Sequence, residues 1–238
     1  MLNMLVIEDN IEQTKQIVNY ICQNNNNIKL YGITSSVKEA LKLIKKGKAD
    51  IIILDLKLED SNGIEIIKQF ETEENEKYKQ SIIITSGEVK LINEVCHSPY
   101  VFSYYFKPLN FDEVLDSINK IVEESVYKEK IRVSIEKELE KLNFNFTYDG
   151  TKYLIDCIYR LYSQDELKDD ILTKKIYQSM AKEYNKKANT IYCNIKQSIN
   201  AMYYDCEEKV LKEYFKYDFI TKPKPREVIY TITKKIKV

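Results

Sequence analysis

The sequence predicts an α/β fold, a doubly wound parallel sheet, over its first half and an all-α domain over its second. Three observations carry this. Ile51–Leu58 is a short run of β-branched and aliphatic residues, the mark of a strand buried on both faces, and Asp55 interrupts it with a carboxylate. Strand-like runs alternate with amphipathic stretches up to about residue 124. From Ile131 onward the strand signal disappears, and apolar residues recur every three or four positions.

In order, Met4–Ile7 reads as the first strand and runs into Glu8, Asp9 and Asn10. Ile11, Ile17, Val18 and Ile21 then punctuate a polar helix ending near Asn24–Asn27. A second strand over Ile28–Ile33 leads to Ser35 and Ser36, an N-cap candidate, and to a helix with Val37, Ala40, Leu41 and Ile44 on one face. The third strand delivers Asp55. Gly63 breaks the loop behind it, and Ile64, Ile67 and Phe70 begin another amphipathic helix. Ile82–Ile84 is the fourth strand and ends at two hydroxyls, Thr85 and Ser86. Val101–Phe106 runs into Lys107 and Pro108. Asn110 followed by Glu113 has the form of a capping box, opening a helix whose apolar face is Val114, Leu115, Ile118, Ile121 and Val122.

These boundaries give a first domain at 1–124, a short linker at 125–130 and a helical domain at 131–238. The linker has alternating charge and neither Gly nor Pro, so it is expected to be helical and stiff enough to transmit movement. Beyond it, Ile131, Ile135, Leu139 and Leu142 share a stripe, as do Leu154, Ile158 and Leu161, and then Leu172, Ile176 and Met180. Two later helices carry Val210, Leu211, Tyr214 and Phe215, and, opening at Pro225, Ile229, Ile232 and Ile236. Between them, about 174–203 reads as two helices joined by Asn185, Lys186 and Lys187. The second buries Ile191, Ile195, Ile199 and Met202, leaving Thr190, Tyr192, Cys193, Lys196 and Gln197 exposed. This is the pattern of a helix-turn-helix, whose second helix enters a major groove.

The chemistry is concentrated at strand ends. In open parallel sheets ligands gather at the carboxyl ends of the strands. If the strands ending at Glu8–Asp9, Asp55 and Lys107 are neighbours, carboxylates and an ammonium meet there. Crowded carboxylates repel unless a cation sits among them, and hard oxygen ligands suit Mg²⁺. A metal-bound carboxylate beside a lysine is equipped to take a phosphoryl group.

Composition excludes several classes. Charged residues make up 31% of the 238, with five glycines and four prolines, which describes a helix-rich folded chain. No apolar run reaches membrane-spanning length and the chain opens directly on a strand, so a cytoplasmic protein with no membrane partner is expected. Five scattered cysteines (Cys22, Cys96, Cys157, Cys193, Cys206) without a Cys-x-x-Cys pair argue for reduced thiols and against a zinc site. His97 is the only histidine, which leaves histidine-based catalysis almost nothing to work with, and the second half shows no acid, base or nucleophile cluster, so no enzyme is expected. The net charge of zero divides unevenly: residues 1–124 hold 14 Lys against 20 Asp and Glu, a net of −6, and the remainder is +6. A basic helical half suits an anion such as nucleic acid.

Residues 1 to about 124 resemble a response-regulator receiver domain, the phosphoacceptor half of two-component signalling. Glu8–Asp9, Asp55 with Gly63 behind it, Thr85-Ser86-Gly87 and Lys107–Pro108 carry the likeness. The resemblance implies a five-stranded, flavodoxin-like parallel sheet, with Asp55 phosphorylated by a histidine kinase or phosphotransfer protein. It also implies Mg²⁺ held by Glu8, Asp9, Asp55 and the backbone carbonyl of Lys57. Thr85 or Ser86 would bind a phosphoryl oxygen beside Lys107: Thr85 has the more usual spacing, Ser86 the more usual small successor, and Ser86 is preferred. Tyr104 matches the aromatic switch position. Glu59 stands where the family usually has proline, which predicts a looser metal-binding loop.

The second half is similar to the effector domain of stage zero sporulation protein A. The likeness runs from Tyr148-Asp149-Gly150-Thr151-Lys152-Tyr153-Leu154 through Ile176–Asn185 to Ile199. It implies a six-helix domain that binds promoter DNA as a homodimer. Where that family carries base-reading arginines, this chain has Thr190, Tyr192 and Cys193, with Lys196 keeping a positive charge. The DNA site is therefore either different or no longer read. Asn189, Asn194 and Gln197 suit adenine, and Lys186, Lys187 and Lys196 suit phosphates. The expected function is a response regulator controlling transcription through double-stranded DNA; the rival is a regulator that keeps the fold and sequesters a protein partner.

Overall fold

The computed structural model describes residues 1–59, 61–72, 80–163, 175–215 and 222–238; Leu172 and Lys174, expected on a helical stripe and at the start of the helix-turn-helix, lie outside the described residues. Contacts divide the chain into two units, Met1–Ser125 and Val126–Val238.

In the first unit, β1 (Leu2–Ile7), β2 (Ile28–Thr34), β3 (Ile51–Asp55), β4 (Ser81–Ser86) and β5 (Val101–Phe106) form one parallel sheet in the order β2-β1-β3-β4-β5. Strand alternation sends Leu5, Ile7, Ile52, Leu54, Ile82 and Ile84 to one face, where α2 (Val37–Lys45), α3 (Ile64–Thr72) and α4 (Val89–Val95) cover them. Met4, Val6, Ile51, Ile53 and Ile83 go to the other, under α1 (Ile11–Asn24) and the first half of α5 (Phe111–Lys141). The central strands β1, β3 and β4 are buried on both sides, which is why they read as nearly continuous apolar runs. The direction of winding reverses between β1 and β3, and the crevice at their carboxyl ends is the binding position of such folds.

Several local expectations change. Asn10 caps α1, its side chain accepting the Glu12 and Gln13 N–H groups at 3.0 Å, so neither Glu8 nor Asp9 is spent as a cap. Ile11 is 72% exposed rather than part of the apolar face, because the cap places it on the outer side of the first turn. Helix α4 has no counterpart among the elements that the sequence predicts. At Asn110 the side-chain oxygen accepts the Asp112 N–H at 3.1 Å while its amide donates to Glu113 at 3.0 Å, so Glu113 meets the cap's side chain rather than its main chain. Residues 125–130 fall inside α5, which carries no break there.

The second unit contains α6 (Asp149–Tyr162), α7 (Tyr177–Glu183), α8 (Ala188–Asp205), α9 (Glu208–Phe215) and α10 (Pro225–Lys235). Ile135, Leu139, Leu154, Ile158, Ile195, Ile199, Val228 and Ile232 are among its buried core residues. Helix α8 packs on α6, α7 and α10. Gly150 permits the α6 approach: a Cβ there would lie 2.0 Å from the Asn194 carbonyl oxygen and 2.3 Å from Ser198 Oγ. Arg160 of α6 holds α7, donating to Ser179 Oγ at 2.6 Å and pairing with Glu183, while its Nε meets Asp156 at 3.1 Å. No helix among the described residues is long and apolar enough to cross a membrane.

Candidate phosphoacceptor site and nucleic-acid interface

The adjacent carboxyl ends of β1 and β3, with β5 beyond β4, deliver Glu8, Asp55 and Lys107 to one point. Glu8 and Asp55 are each 4% exposed. Lys107 Nζ lies 2.6 Å from Asp55 Oδ2 and 2.9 Å from Glu8 Oε2, one ammonium shared between two buried carboxylates. Asp9 completes the group: oxygens of Glu8, Asp9 and Asp55 lie within 4.8 Å of one another. Burial pushes the Glu8 carboxyl above the ordinary range; Lys107 pulls it down and the Asp55 charge pushes it up again. Burial acts to lower the Lys107 pKa, but hydrogen bonds to Asp55 and Glu8 outweigh it and the net movement is upward. This oxygen-only, charge-crowded donor set fits Mg²⁺, and Lys107 bridges two of its carboxylates.

The loop behind Asp55 is closed by its own main chain. Lys57 donates its N–H to Asp55 Oδ1 at 3.0 Å and pairs with Asn62 across an antiparallel bridge, and Gly63 N–H bonds the Leu56 carbonyl at 3.0 Å. These bonds hold the turn without the proline that Glu59 replaces. Gly63 makes the closure possible, since a Cβ there would stand 2.4 Å from the Asp55 carbonyl oxygen. The Lys57 side chain, 71% exposed, reaches across to Glu88 at 2.6 Å, a partner the sequence did not suggest.

The two hydroxyls part company. Asp55 and Thr85 are register partners and therefore face the same side of the sheet. Thr85 is fully buried, and its Oγ1 has no hydrogen-bond partner among the described residues. Ser86, one residue on, belongs to the opposite face, and its Oγ accepts the Glu88 N–H at 3.1 Å. Tyr104 is 46% exposed and packs edge-on against Phe106, with ring centroids 6.2 Å apart. Its neighbour Tyr105 instead ties β5 to α5, its hydroxyl donating to the Glu113 carbonyl at 2.8 Å and lying 2.6 Å from Ser117 Oγ.

In the second unit, the turn between α7 and α8 follows from Asn185, which takes a left-handed φ of 48°. The Lys186 N–H bonds the Ala181 carbonyl and the Asn185 N–H bonds that of Lys182, at 3.0 and 3.2 Å, satisfying the last carbonyls of α7. Along α8, Ile191, Ile195, Ser198, Ile199 and Met202 are buried. Lys186, Lys187, Asn189, Thr190, Tyr192, Cys193, Lys196 and Gln197 are all exposed. Asn194 is half-buried beside Gly150. All five cysteines are free thiols.

Comparison with known proteins agrees with both units. The response regulator receiver domain family matches residues 4–119, and the family described as sporulation initiation factor Spo0A C terminal matches residues 135–236. A transcriptional regulatory protein, MalR of Bacillus subtilis, is 28% identical over 47% of this chain and 46% of its own length. The sporulation initiation phosphotransferase F of Bacillus subtilis is 29% identical over 34% of this chain and 64% of its own. The chain thus spans about half the length of the curated relatives it matches. Among solved structures, a receiver domain of a Francisella response regulator aligns at 23% identity with a TM-score of 0.46, over 52% of this chain and 99% of that one. The chain is a response regulator, built from a receiver domain followed by a Spo0A-type C-terminal domain.

Proposed function

We propose that Asp55 accepts a phosphoryl group in a Mg²⁺-dependent reaction and that the helical domain, in response, binds double-stranded DNA to control transcription. The observation that carries this is the buried Asp55 carboxylate held between Glu8, Asp9 and Lys107 at the sheet's carboxyl edge. A phosphohistidine of a histidine kinase or phosphotransfer protein is the donor. An Asp55 oxygen attacks phosphorus, the P–N bond breaks, and the histidine nitrogen leaves with the bond's electrons. Lys107 offsets the charge on the transferring oxygens, and the unpartnered Thr85 hydroxyl, on the Asp55 side of the sheet, is the better placed donor to one of them. Ser86 already serves the Glu88 main chain. Glu8, Asp9, Asp55 and the Lys57 carbonyl would hold Mg²⁺, which when bound supplies charge neutralisation for phosphoryl transfer. Tyr104, exposed beside β4, is the residue whose inward movement would report phosphorylation.

On DNA, Lys186, Lys187 and Lys196 would contact phosphates, Asn189 and Gln197 would read adenine, and Thr190, Tyr192 and Cys193 would line the groove. A second reading, sequestration of a protein partner, is favoured by one observation: this exposed face offers Thr190, Tyr192 and Cys193 and no arginine fork. Capture of genomic fragments by the full chain, with and without a small phosphodonor and Mg²⁺, separates the two. Enrichment of particular sequences that Asp55→Asn abolishes supports the DNA reading; no enrichment in either state favours the protein partner.

A further inference from the structure

Beyond the helix-turn-helix itself, the exposed stripe of α8 does not stop at Gln197. At 100° per residue, Tyr204 falls on the same line as Cys193 and Gln197, and Tyr203 on that of Lys196. Tyr204 is 72% exposed, and the Tyr203 and Tyr204 rings meet edge-on at 5.6 Å. A cation from outside the helix is seated on this pair: Lys222 Nζ lies 4.1 Å from the centroid of Tyr204 and 5.9 Å from that of Tyr203. The ring faces attract the ammonium and fix its long side chain without neutralising it. Lys222 and Lys224 are both exposed and make no ion pair among the described residues. Asp205 lies about 100° round the helix from Tyr204, off this line.

We propose that Lys222, seated on Tyr203 and Tyr204, is a second phosphate-binding site that clamps the DNA backbone at the far end of α8, with Lys224 beside it. The proposal rests on the DNA reading above. Lys187 and Tyr204 bracket α8 and are roughly 26 Å apart along its axis at 1.5 Å per residue. A major groove is only about 12 Å wide, so cations at the two ends of a helix lying in it meet sugar–phosphate backbone rather than base edges. Lys186 and Lys187 serve one end, and Lys222 supplies the charge that α8 itself lacks at the other. The aromatic seat pre-orders the lysine, so less side-chain freedom is lost on binding.

Binding of the full chain to a short duplex of arbitrary sequence, followed by fluorescence anisotropy across salt concentrations, tests this. One phosphate contact contributes about 0.9 to the log–log slope, so over a fourfold rise in salt Lys222→Ala should lose about 3.5-fold less affinity than the unsubstituted chain. Lys222→Arg and Tyr204→Phe, which keep the charge and the ring, should preserve the slope. Tyr204→Ala should weaken binding, and adding it to Lys222→Ala should cost nothing further. A full slope in Lys222→Ala, with the unsubstituted chain binding normally, overturns the clamp and leaves the DNA reading standing. Additive losses from Tyr204→Ala and Lys222→Ala overturn the seating of one on the other. Failure of the unsubstituted chain to bind any duplex, with and without a small phosphodonor and Mg²⁺, overturns both readings.

Discussion

Replacing Gly63 by alanine should damage the phosphoacceptor without touching its carboxylate. The added Cβ would stand 2.4 Å from the Asp55 carbonyl oxygen, 3.0 Å from Leu56 Cα and 3.1 Å from Leu54 Cδ1. Ordinary carbon–oxygen contacts begin near about 3.3 Å, so main chain must give way by roughly 1 Å. Both nearest neighbours are backbone, in a segment pinned by the Gly63–Leu56 hydrogen bond and the Lys57–Asn62 bridge, so no side chain can swing aside. Overpacking of this kind costs about 1 to 3 kcal/mol, which for a unit of this size lowers the thermal midpoint by roughly 3 to 12 °C. The atom displaced belongs to Asp55, the proposed nucleophile. A misplacement of about 1 Å can slow a reaction by as much as about a hundredfold, so labelling by a small phosphodonor should slow by one to two orders of magnitude. Thermal unfolding and single-turnover labelling of the same preparation read both effects. A Gly63→Ala variant with unchanged midpoint and labelling rate would refute the steric account of this loop.

Gly150→Ala should be the more severe substitution, since its Cβ would overlap the Asn194 carbonyl at 2.0 Å, and it should unfold the helical unit while Asp55 still labels; Gly87→Ala, with nothing within 4 Å, should leave stability unchanged. Thr85→Ala should impair retention of the phosphoryl group and its coupling to DNA binding, whereas Ser86→Ala should cost mainly the contact with the Glu88 N–H; the reverse ranking in phosphoprotein half-life would assign the role to Ser86. Because the folded Glu8 carboxyl titrates above its ordinary value of 4.5, the folded chain binds more protons than the unfolded one between those two values, and metal-free stability should fall as pH rises through that window. Glu8→Gln should flatten this slope in denaturant titrations, and Mg²⁺ affinity of the parent chain should decline as pH drops through the same window.

How much of this was legible depended on whether the signal was local. β1 and β3 are apolar on both faces and end in acids, so residues four to eight positions long were enough to place Glu8, Asp9 and Asp55 at strand ends. The choice between Thr85 and Ser86 was not local. Adjacent strand residues face opposite sides, and which one shares Asp55's side depends on the β3–β4 register, set by packing across the sheet. Helix α4 leaves little trace in the sequence because seven residues with two buried side chains make too short a period. The α5 helix reads as two stretches because exposed Val126 separates two stripes, Val114–Val122 and Ile131–Leu142, that join different cores. Asp156 and Arg160, four apart on α6, carried a visible helical pairing signal, but their link to α7 through Ser179 and Glu183 needed the fold.

The most direct measurement is the intact mass of the chain after incubation with a small phosphodonor and Mg²⁺. One added phosphoryl group is expected, lost from Asp55→Asn, from Asp9→Ala, and from the parent chain when the metal is chelated. Lys107→Ala should still label but fail to alter DNA binding. An unlabelled parent chain, or an Asp55→Asn variant carrying the same added mass, would contradict the assignment of Asp55 as the phosphoacceptor.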